Sequence, residues 1–194
     1  MESKNTSENS RLERLNRVYL AIILRYKDII EEKESISVAE LPTLITPKDP
    51  QIIEKAEEIK KDFPNYIYDR DFYEASKKAF EFVKSQIQDI VLPVQFWLDP
   101  SETLNFQVGD LMDKNVLLCS LLISLGNPSA KVLVEVDNAM TVFVYFGYLN
   151  AYYLMDIKGG IKKFNSKEEI YESVITGEDS AAYEFNNQSY SDIK

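Results

Sequence analysis

A strongly apolar segment near the middle of the chain constrains the fold most. The residue pattern from about Asp110 to Leu125 predicts a helix, which Gly126 ends and Pro128 follows. Apolar residues occupy nearly every face of this helix: Val116, Leu117, Leu118, Leu121, Leu122, Ile123 and Leu125. Since a helix that is apolar all round is a buried one, we expect it to lie at the centre of the domain.

The segments around this helix predict its packing partners. Residues 130–137, 140–147 and 151–157 are rich in β-branched and aromatic residues with a period of two, which predicts three sequential antiparallel strands. Before the apolar helix, Asp49 and Pro50 open one predicted helix and Asp71 opens another. Helices followed by a buried helix and an antiparallel sheet indicate an α+β fold.

Both ends of the chain are predicted to lie outside this core. Residues 1–45 form an N-terminal arm and a proline-containing connector, residues 46–176 form the domain, and residues 177–194 form an acidic polar tail. The arm carries a helical seam whose apolar residues recur every three or four positions: Leu12, Leu15, Tyr19, Ile22, Tyr26 and Ile29. We favour packing of this seam on its own domain, with self-association as the alternative.

Charge and cysteine content restrict the partners and the compartment. The net charge of −10, without a dense lysine and arginine run, argues against nucleic acid as a partner. The apolar run from Val18 to Leu24 is too short to cross a bilayer, so no membrane span is expected. Cys119 is the only cysteine, which favours a reducing compartment and a cytoplasmic location.

The chain contains no histidine. Histidine is the usual general base near neutral pH and the commonest metal ligand, so the common cysteine, serine and zinc hydrolase mechanisms lose a central component. Cys119 lies within the apolar helix, and we expect a buried core residue there instead of a nucleophile.

The order of motifs resembles that of the transglutaminase-like domain, a papain-like α+β fold. Trp97, "ETL", the segment "GDLMDKNVLLCSLLISLG" and strands ending in "LMD" carry this resemblance, which covers residues 46–160. The family pattern Gly-Asp-Cys-x-Asp is matched by Gly109, Asp110 and Asp113. The other positions match as follows: Leu111 takes the place of the cysteine, Thr141 that of the histidine, Phe143 that of the following aromatic residue and Asp156 that of the aspartate.

The resemblance implies that the chain has the fold of this family but not its catalytic activity. In the family a thiolate attacks an acyl carbon, a histidine moves the proton and an aspartate orients the histidine. Leu111 and Thr141 cannot take these roles, so we expect a vestigial triad of Leu111, Thr141 and Asp156 in a catalytically inactive domain that binds a protein or peptide, with no cofactor and no metal. Candidate residues of the binding groove are Trp97, Gln107, Asp110, Asp113 and Phe143.

Two alternatives remain open at this stage. Asp110, Asp113 and Asp156 could support a hydrolase that uses carboxylates, with or without a divalent metal, if they converge on one point. The Leu12–Ile29 helix could make the protein a scaffold or a homo-oligomer. Tyrosines concentrated on the predicted strands, at positions 145, 148, 152 and 153, would lie partly on an open face, where tyrosine favours protein contacts.

Overall fold

The computed structural model describes the backbone of residues 2–177 and 180–194 and the side chains of residues 12–177 and 180–194. The chain divides into two compact units, one made of residues 1–35 and 91–97 and the other of residues 36–90 and 98–194. This division differs from the expected boundary near residue 45 because the connector from residue 36 onward belongs to the second unit. Leu41, Leu44 and Ile45 are buried, and these apolar residues tie the connector to the second unit.

The first unit is built on two helices, α1 (Glu2–Arg25) and α2 (Lys27–Lys33). The indole N–H of Trp97 donates to the Glu34 carbonyl at 2.9 Å, and the Gln95 N–H donates to Glu31 Oε1 at 3.1 Å. The six seam residues of α1 and α2 are each 41 to 53% exposed. Packing of this seam on its own domain and self-association through it both stay predictions.

The second unit contains five α-helices and a six-stranded sheet among its described residues. After a short 3-10 helix at Leu41–Leu44, the helices are α3 (Pro50–Lys60), α4 (Tyr68–Gln86), α5 (Pro100–Phe106), α6 (Leu111–Ser124) and α7 (Lys167–Val174). The strands are β1 (Gln88–Asp89), β2 (Val108–Gly109), β3 (Lys131–Val136), β4 (Met140–Tyr148), β5 (Ala151–Asp156), β6 (Gly160–Phe164), β7 (Ala181–Phe185) and β8 (Tyr190–Asp192). The large sheet has the antiparallel order β6-β5-β4-β3-β7-β8, while β1 and β2 form a separate parallel pair.

The predicted buried helix and three-strand meander are confirmed, and the fold is α+β. Every residue of α6 from Met112 to Leu122 is buried. The end of the chain differs from the expected tail, because β7 and β8 are strands of the main sheet and Phe185 is fully buried opposite Val132 of β3. Of that predicted tail, positions 178 and 179 lie outside the described residues.

The start of one helix differs from prediction, and the start of another has a similar acidic cap. Helix α4 begins at Tyr68, which places Asp71 inside its first turns, where the Asp71 carboxylate accepts the Ile67 N–H at 2.8 Å. Helix α5 is capped by Asp99, with Pro100 at its first position. Each carboxylate thus satisfies a free N–H at a helix start.

The two faces of the sheet carry different helices. On one face Phe146 of β4 packs against Phe72 of α4 with ring centroids 5.2 Å apart, and α6 contacts α4, β3 and β4 in the same layer. On the other face α7 buries Ile170 and Val174 against Leu133, Tyr145 and Leu154. Because successive side chains of a strand point to opposite faces, odd-numbered residues of β4 face α7 and even-numbered residues face α4 and α6. No helix among the described residues is long and apolar enough to cross a membrane.

Candidate functional site

The start of α6 contains the residues that resemble the nucleophile motif of the family. Asp110 is its N-cap, and Asp110 Oδ1 accepts the Asp113 N–H at 2.9 Å. In return Asp113 Oδ2 accepts the Asp110 N–H at 2.9 Å, and Asp113 Oδ1 accepts the Leu98 N–H at 3.2 Å. The two carboxylates therefore satisfy N–H groups at the positive end of the helix, where an external anion would otherwise be favoured.

Burial changes the protonation of Asp113. The side chain is buried at the junction of α6 with the segment at Leu98. Burial raises the pKa of the Asp113 carboxyl to about 6, with the neighbouring Asp110 carboxylate adding to the rise and the N–H donors of Asp110 and Leu98 opposing it. Asp113 is thus a capping carboxylate that titrates in a mildly acidic range.

Leu111 occupies the first helical position of α6 and is half-buried. One turn later the Asn115 amide donates to the Leu111 carbonyl at 2.7 Å. Lys114 is buried beside it, and its Nζ lies 2.6 Å from Asp89 Oδ1 of β1, a mostly exposed carboxylate. The Leu111 side chain is therefore unreactive, and the polar groups beside it are paired with the chain itself except for Asn115 Oδ1, which is buried and accepts no hydrogen bond from the described residues.

Cys119 is a core residue, as expected. The side chain is fully buried, and burial raises the pKa of its thiol well above the ordinary range. A thiolate, which is the nucleophilic form, is strongly disfavoured there. Cys119 therefore cannot replace the cysteine that is absent at Leu111.

Thr141 and Asp156 lie on the α7 face of the sheet. Thr141 Oγ1 donates to Glu135 Oε2 at 3.2 Å, and Glu135 Oε1 accepts the Thr176 N–H beyond the end of α7. Asp156 lines a cavity of about 140 Å³ together with Phe143 and Val174. Its Oδ1 accepts the Lys158 N–H at 2.8 Å, an ordinary turn contact.

Leu111, Thr141 and Asp156, which were expected to lie together as a vestigial triad, lie on different faces of the sheet. Leu111 begins a helix on one face of the sheet, whereas the other two side chains point to the opposite face. In β4 and β5 the side chains on the α6 face nearest to these positions are those of Val142 and Met155, both buried and both apolar. Adjacent strand positions face opposite ways, so Val142 and Met155 point toward the α6 layer and Thr141 and Asp156 do not.

The carboxylates proposed for the alternative hydrolase do not converge. Asp110 and Asp113 cap α6, while Asp156 lies on the α7 face. Across the described part of the chain, no group of three or more carboxylate, cysteine or histidine side chains could hold a metal ion. The geometry therefore gives no basis for carboxylate or metal-assisted hydrolysis at these residues.

The remaining groove candidates belong to different elements of the chain. Gln107 ends α5 in the left-handed conformation with φ 55°, and its carbonyl accepts the Gln88 N–H at 2.8 Å, with its side chain exposed. Phe143 packs on the α7 side of the sheet. Trp97 belongs to the first unit and contacts Glu34 there.

The sequence analysis missed a buried polar cluster around Glu184 of β7. Glu184 Oε1 accepts from Lys131 Nζ at 2.6 Å and Lys167 Nζ at 2.8 Å, while Oε2 accepts from the hydroxyls of Tyr145 and Tyr171, both at 2.5 Å. Burial of Glu184 would raise the pKa of its carboxyl, but these four donors lower it to about 2. Nothing in the sequence indicated this cluster, because Glu184 lies in the segment that was predicted to be a polar tail.

The arrangement as a whole is a papain-like, transglutaminase-like α+β fold. Among solved structures, the chain is similar to LapG of Legionella pneumophila, with 16% identity and a TM-score of 0.53 over 82% of this chain and 89% of LapG. EGTA-treated LapG matches with 15% identity and a TM-score of 0.52 over 82% and 87% of the two chains. No protein-family model and no curated protein sequence matches this chain. Identities this low establish a shared fold and nothing further.

Proposed function

We propose that this chain is a catalytically inactive domain of the transglutaminase-like fold and that it binds a protein or peptide. The observation that carries the proposal is the absence of histidine from all 194 residues. Acyl transfer by a thiolate needs a base that accepts and returns a proton near neutral pH, and histidine is the side chain suited to that task.

The start of α6 supports the proposal independently. A nucleophile there would be activated by the free N–H groups of the first turn. In this chain Leu111 occupies the position, and Asp110 and Asp113 direct two carboxylates at those N–H groups. Negative charge at this point would raise the pKa of a thiol and oppose the oxyanion of an acyl intermediate.

Turnover assays on the full chain test the inactivity. Hydrolysis of peptide amides, hydrolysis of activated esters and exchange of glutamine amides with an amine should all equal the buffer rate. The Cys119→Ala variant is the matched control, since it removes the only thiol. Turnover that copurifies with the protein through a second purification and disappears in that variant would overturn the proposal.

Self-association through the first unit is a second candidate function, and one observation favours it. The seam residues of α1 and α2 are exposed on a helix with an ordered apolar stripe. A second copy of the same helix could cover such a stripe by pairing along the seam. This function is compatible with peptide binding by the second unit.

A further inference from the structure

A cavity of about 410 Å³ lies where the β4–β5 hairpin meets the start of α4. We call it the hairpin pocket and define it by six of its lining residues: Tyr68, Asp69, Ser129, Gly147, Tyr148 and Tyr152. The pocket is at the hairpin end of β4, whereas Thr141 lies near the other end of that strand. It is therefore separate from the positions that the family resemblance singled out.

Aromatic rings form the fixed walls of the hairpin pocket. The rings of Tyr68 and Tyr148 meet edge to face, with centroids 5.6 Å apart and an angle of 85° between their planes. The Tyr148 hydroxyl donates to the Tyr68 carbonyl at 3.1 Å, which holds the two walls together. Between the strands Gly147 leaves space, since a Cβ there would lie 3.4 Å from the Tyr152 ring. Tyr148 itself is buried, whereas the half-buried rings of Tyr68 and Tyr152 line the opening, and an opening lined by tyrosine rings is suited to a cation.

The charge of the hairpin pocket is negative. The Asp69 carboxylate is exposed at its edge, and it accepts no hydrogen bond and forms no ion pair with the described residues. No lysine or arginine is among the described side chains that line the pocket. Burial first, and then the Asp69 and Asp71 carboxylates, raise the pKa of the Tyr148 hydroxyl.

The rim of the hairpin pocket carries a strained apolar residue. Leu149 and Asn150 form the two-residue turn with φ 46° and 61°. Asparagine tolerates the left-handed region, whereas leucine adopts it only at a cost in backbone strain. The Leu149 side chain is also 65% exposed to solvent. Folding alone thus gains little from this leucine, and backbone strain of this kind is concentrated at ligand sites.

We infer that the hairpin pocket binds the lysine or arginine side chain of a peptide whose neighbouring apolar residue contacts Leu149. The tyrosine faces and the Asp69 carboxylate hold the cation, and the exposed leucine supplies the apolar contact. The inference rests on the proposed function, because it names the peptide chemistry that the binding domain recognises.

An NMR titration of the full chain tests this site. The probe is Nα-acetyl-lysine N-methylamide, and its uncharged isostere Nα-acetyl-norleucine N-methylamide is the control ligand. We expect the lysine probe to shift the amide resonances of Gly147 and Asn150, and the neutral probe to leave them unchanged. Equal shifts with both probes, or none with either, would overturn the inference.

Three variants assign the contacts. Asp69→Asn should weaken binding of the lysine probe by about tenfold, the effect expected when one charge-assisted contact is lost. Glu74→Gln, at another exposed carboxylate of α4, should leave affinity unchanged. Gly147→Ala should weaken binding without unfolding the chain, since the added methyl group lies at ordinary contact distance from Tyr152. Binding that responds equally to Asp69→Asn and Glu74→Gln would assign the effect to general charge and overturn the site.

Leu149→Asn separates recognition from folding. Asparagine suits the left-handed turn, so the midpoint of thermal unfolding should stay equal or rise. The unchanged chain should bind a lysine-leucine dipeptide amide more tightly than lysine-glycine amide. In the Leu149→Asn variant this difference in affinity should disappear. A lower midpoint with unchanged dipeptide affinity would contradict the role of Leu149. These outcomes are distinct from turnover, which would overturn the proposed function and not the pocket.

Discussion

Asp110 and Asp113 cap the central helix reciprocally: each carboxylate accepts the backbone N–H of the other residue at 2.9 Å. This pair occupies the turn at which the transglutaminase-like fold would present a nucleophile. The same residues that resemble the family motif therefore stabilise the helix start and fill it with negative charge.

The raised pKa of Asp113 predicts a pH dependence of stability. The folded pKa of about 6 exceeds the unfolded value of 3.8, so the folded state holds the proton more tightly. This stabilisation is complete below the unfolded value and is lost as the pH rises through about 6, and it amounts to about 1–2 kcal/mol after solvent screening is considered. Asp113→Asn, which resembles the protonated form, should remove the difference between pH 4 and pH 7 in urea unfolding. The control variant Asp62→Asn, at an exposed carboxylate, should keep this difference in unfolding free energy. If Asp113→Asn also kept it, the prediction would be contradicted.

Glu184 is predicted to be the most sensitive polar residue of the fold. Its replacement by glutamine leaves the half-buried amino groups of Lys131 and Lys167 without their anion, which should cost about 2–3 kcal/mol after solvent screening is considered. Because its pKa is lowered to about 2 from 4.5, its stabilisation is present above pH 4.5 and lost as the pH falls toward 2. Chemical unfolding of Glu184→Gln at pH 7 measures the loss, and Lys163→Gln, an exposed change on β6, is the control. A loss equal to that of the control would contradict a role for the cluster.

Thiol labelling tests the two positions on α6. Native protein should not react with an alkylating reagent, because Cys119 is fully buried, and unfolded protein should take up one label per chain. Leu111→Cys should add one reactive thiol without turnover. The thiol should show an ordinary or raised pKa in the pH profile of its alkylation, since Asp110 and Asp113 lie beside it. A lowered thiol pKa would contradict the electrostatic account of this helix start.

The exposed seam predicts a concentration-dependent mass. Light scattering on the full chain should give a mass above the 22.4 kDa monomer, because water-exposed leucines and isoleucines at the seam favour pairing. Leu15→Glu combined with Ile22→Glu should return the protein to the monomer with an unchanged fold. The matched control is Arg14→Glu with Arg17→Glu, which changes the polar side of α1 and leaves the seam intact. A monomer at all concentrations would exclude self-association.

The sequence allowed prediction of those parts of the fold that depend on local pattern. The apolar helix and the three-strand meander have clear periods, and both are confirmed. Strand β7 has a weak pattern of its own, and its pairing with β3 joins residues about fifty positions apart, such as Val132 and Phe185. Long-range pairing of this kind overrides the local polarity that predicted a tail.

The candidate site was harder to predict because it depends on register. A shift of one residue moves every side chain of a strand to the other face, so a motif match at Thr141 and Asp156 could not decide between them and the neighbouring Val142 and Met155. The hairpin pocket joins Tyr68 to Tyr148, a contact between distant segments that composition alone does not reveal. The absence of histidine, in contrast, needed no structure at all.

Mass spectrometry of a mixed peptide pool tests the central claim most directly. The pool, containing peptides with and without lysine, is incubated with the full chain and with Cys119→Ala, and bound and free peptides are then weighed. The account predicts that lysine-containing peptides are retained reversibly, that every peptide keeps its mass, and that no adduct forms on the protein. Peptides that gain water, exchange an amide for an amine, or attach to Cys119 in a protein-dependent way would contradict it.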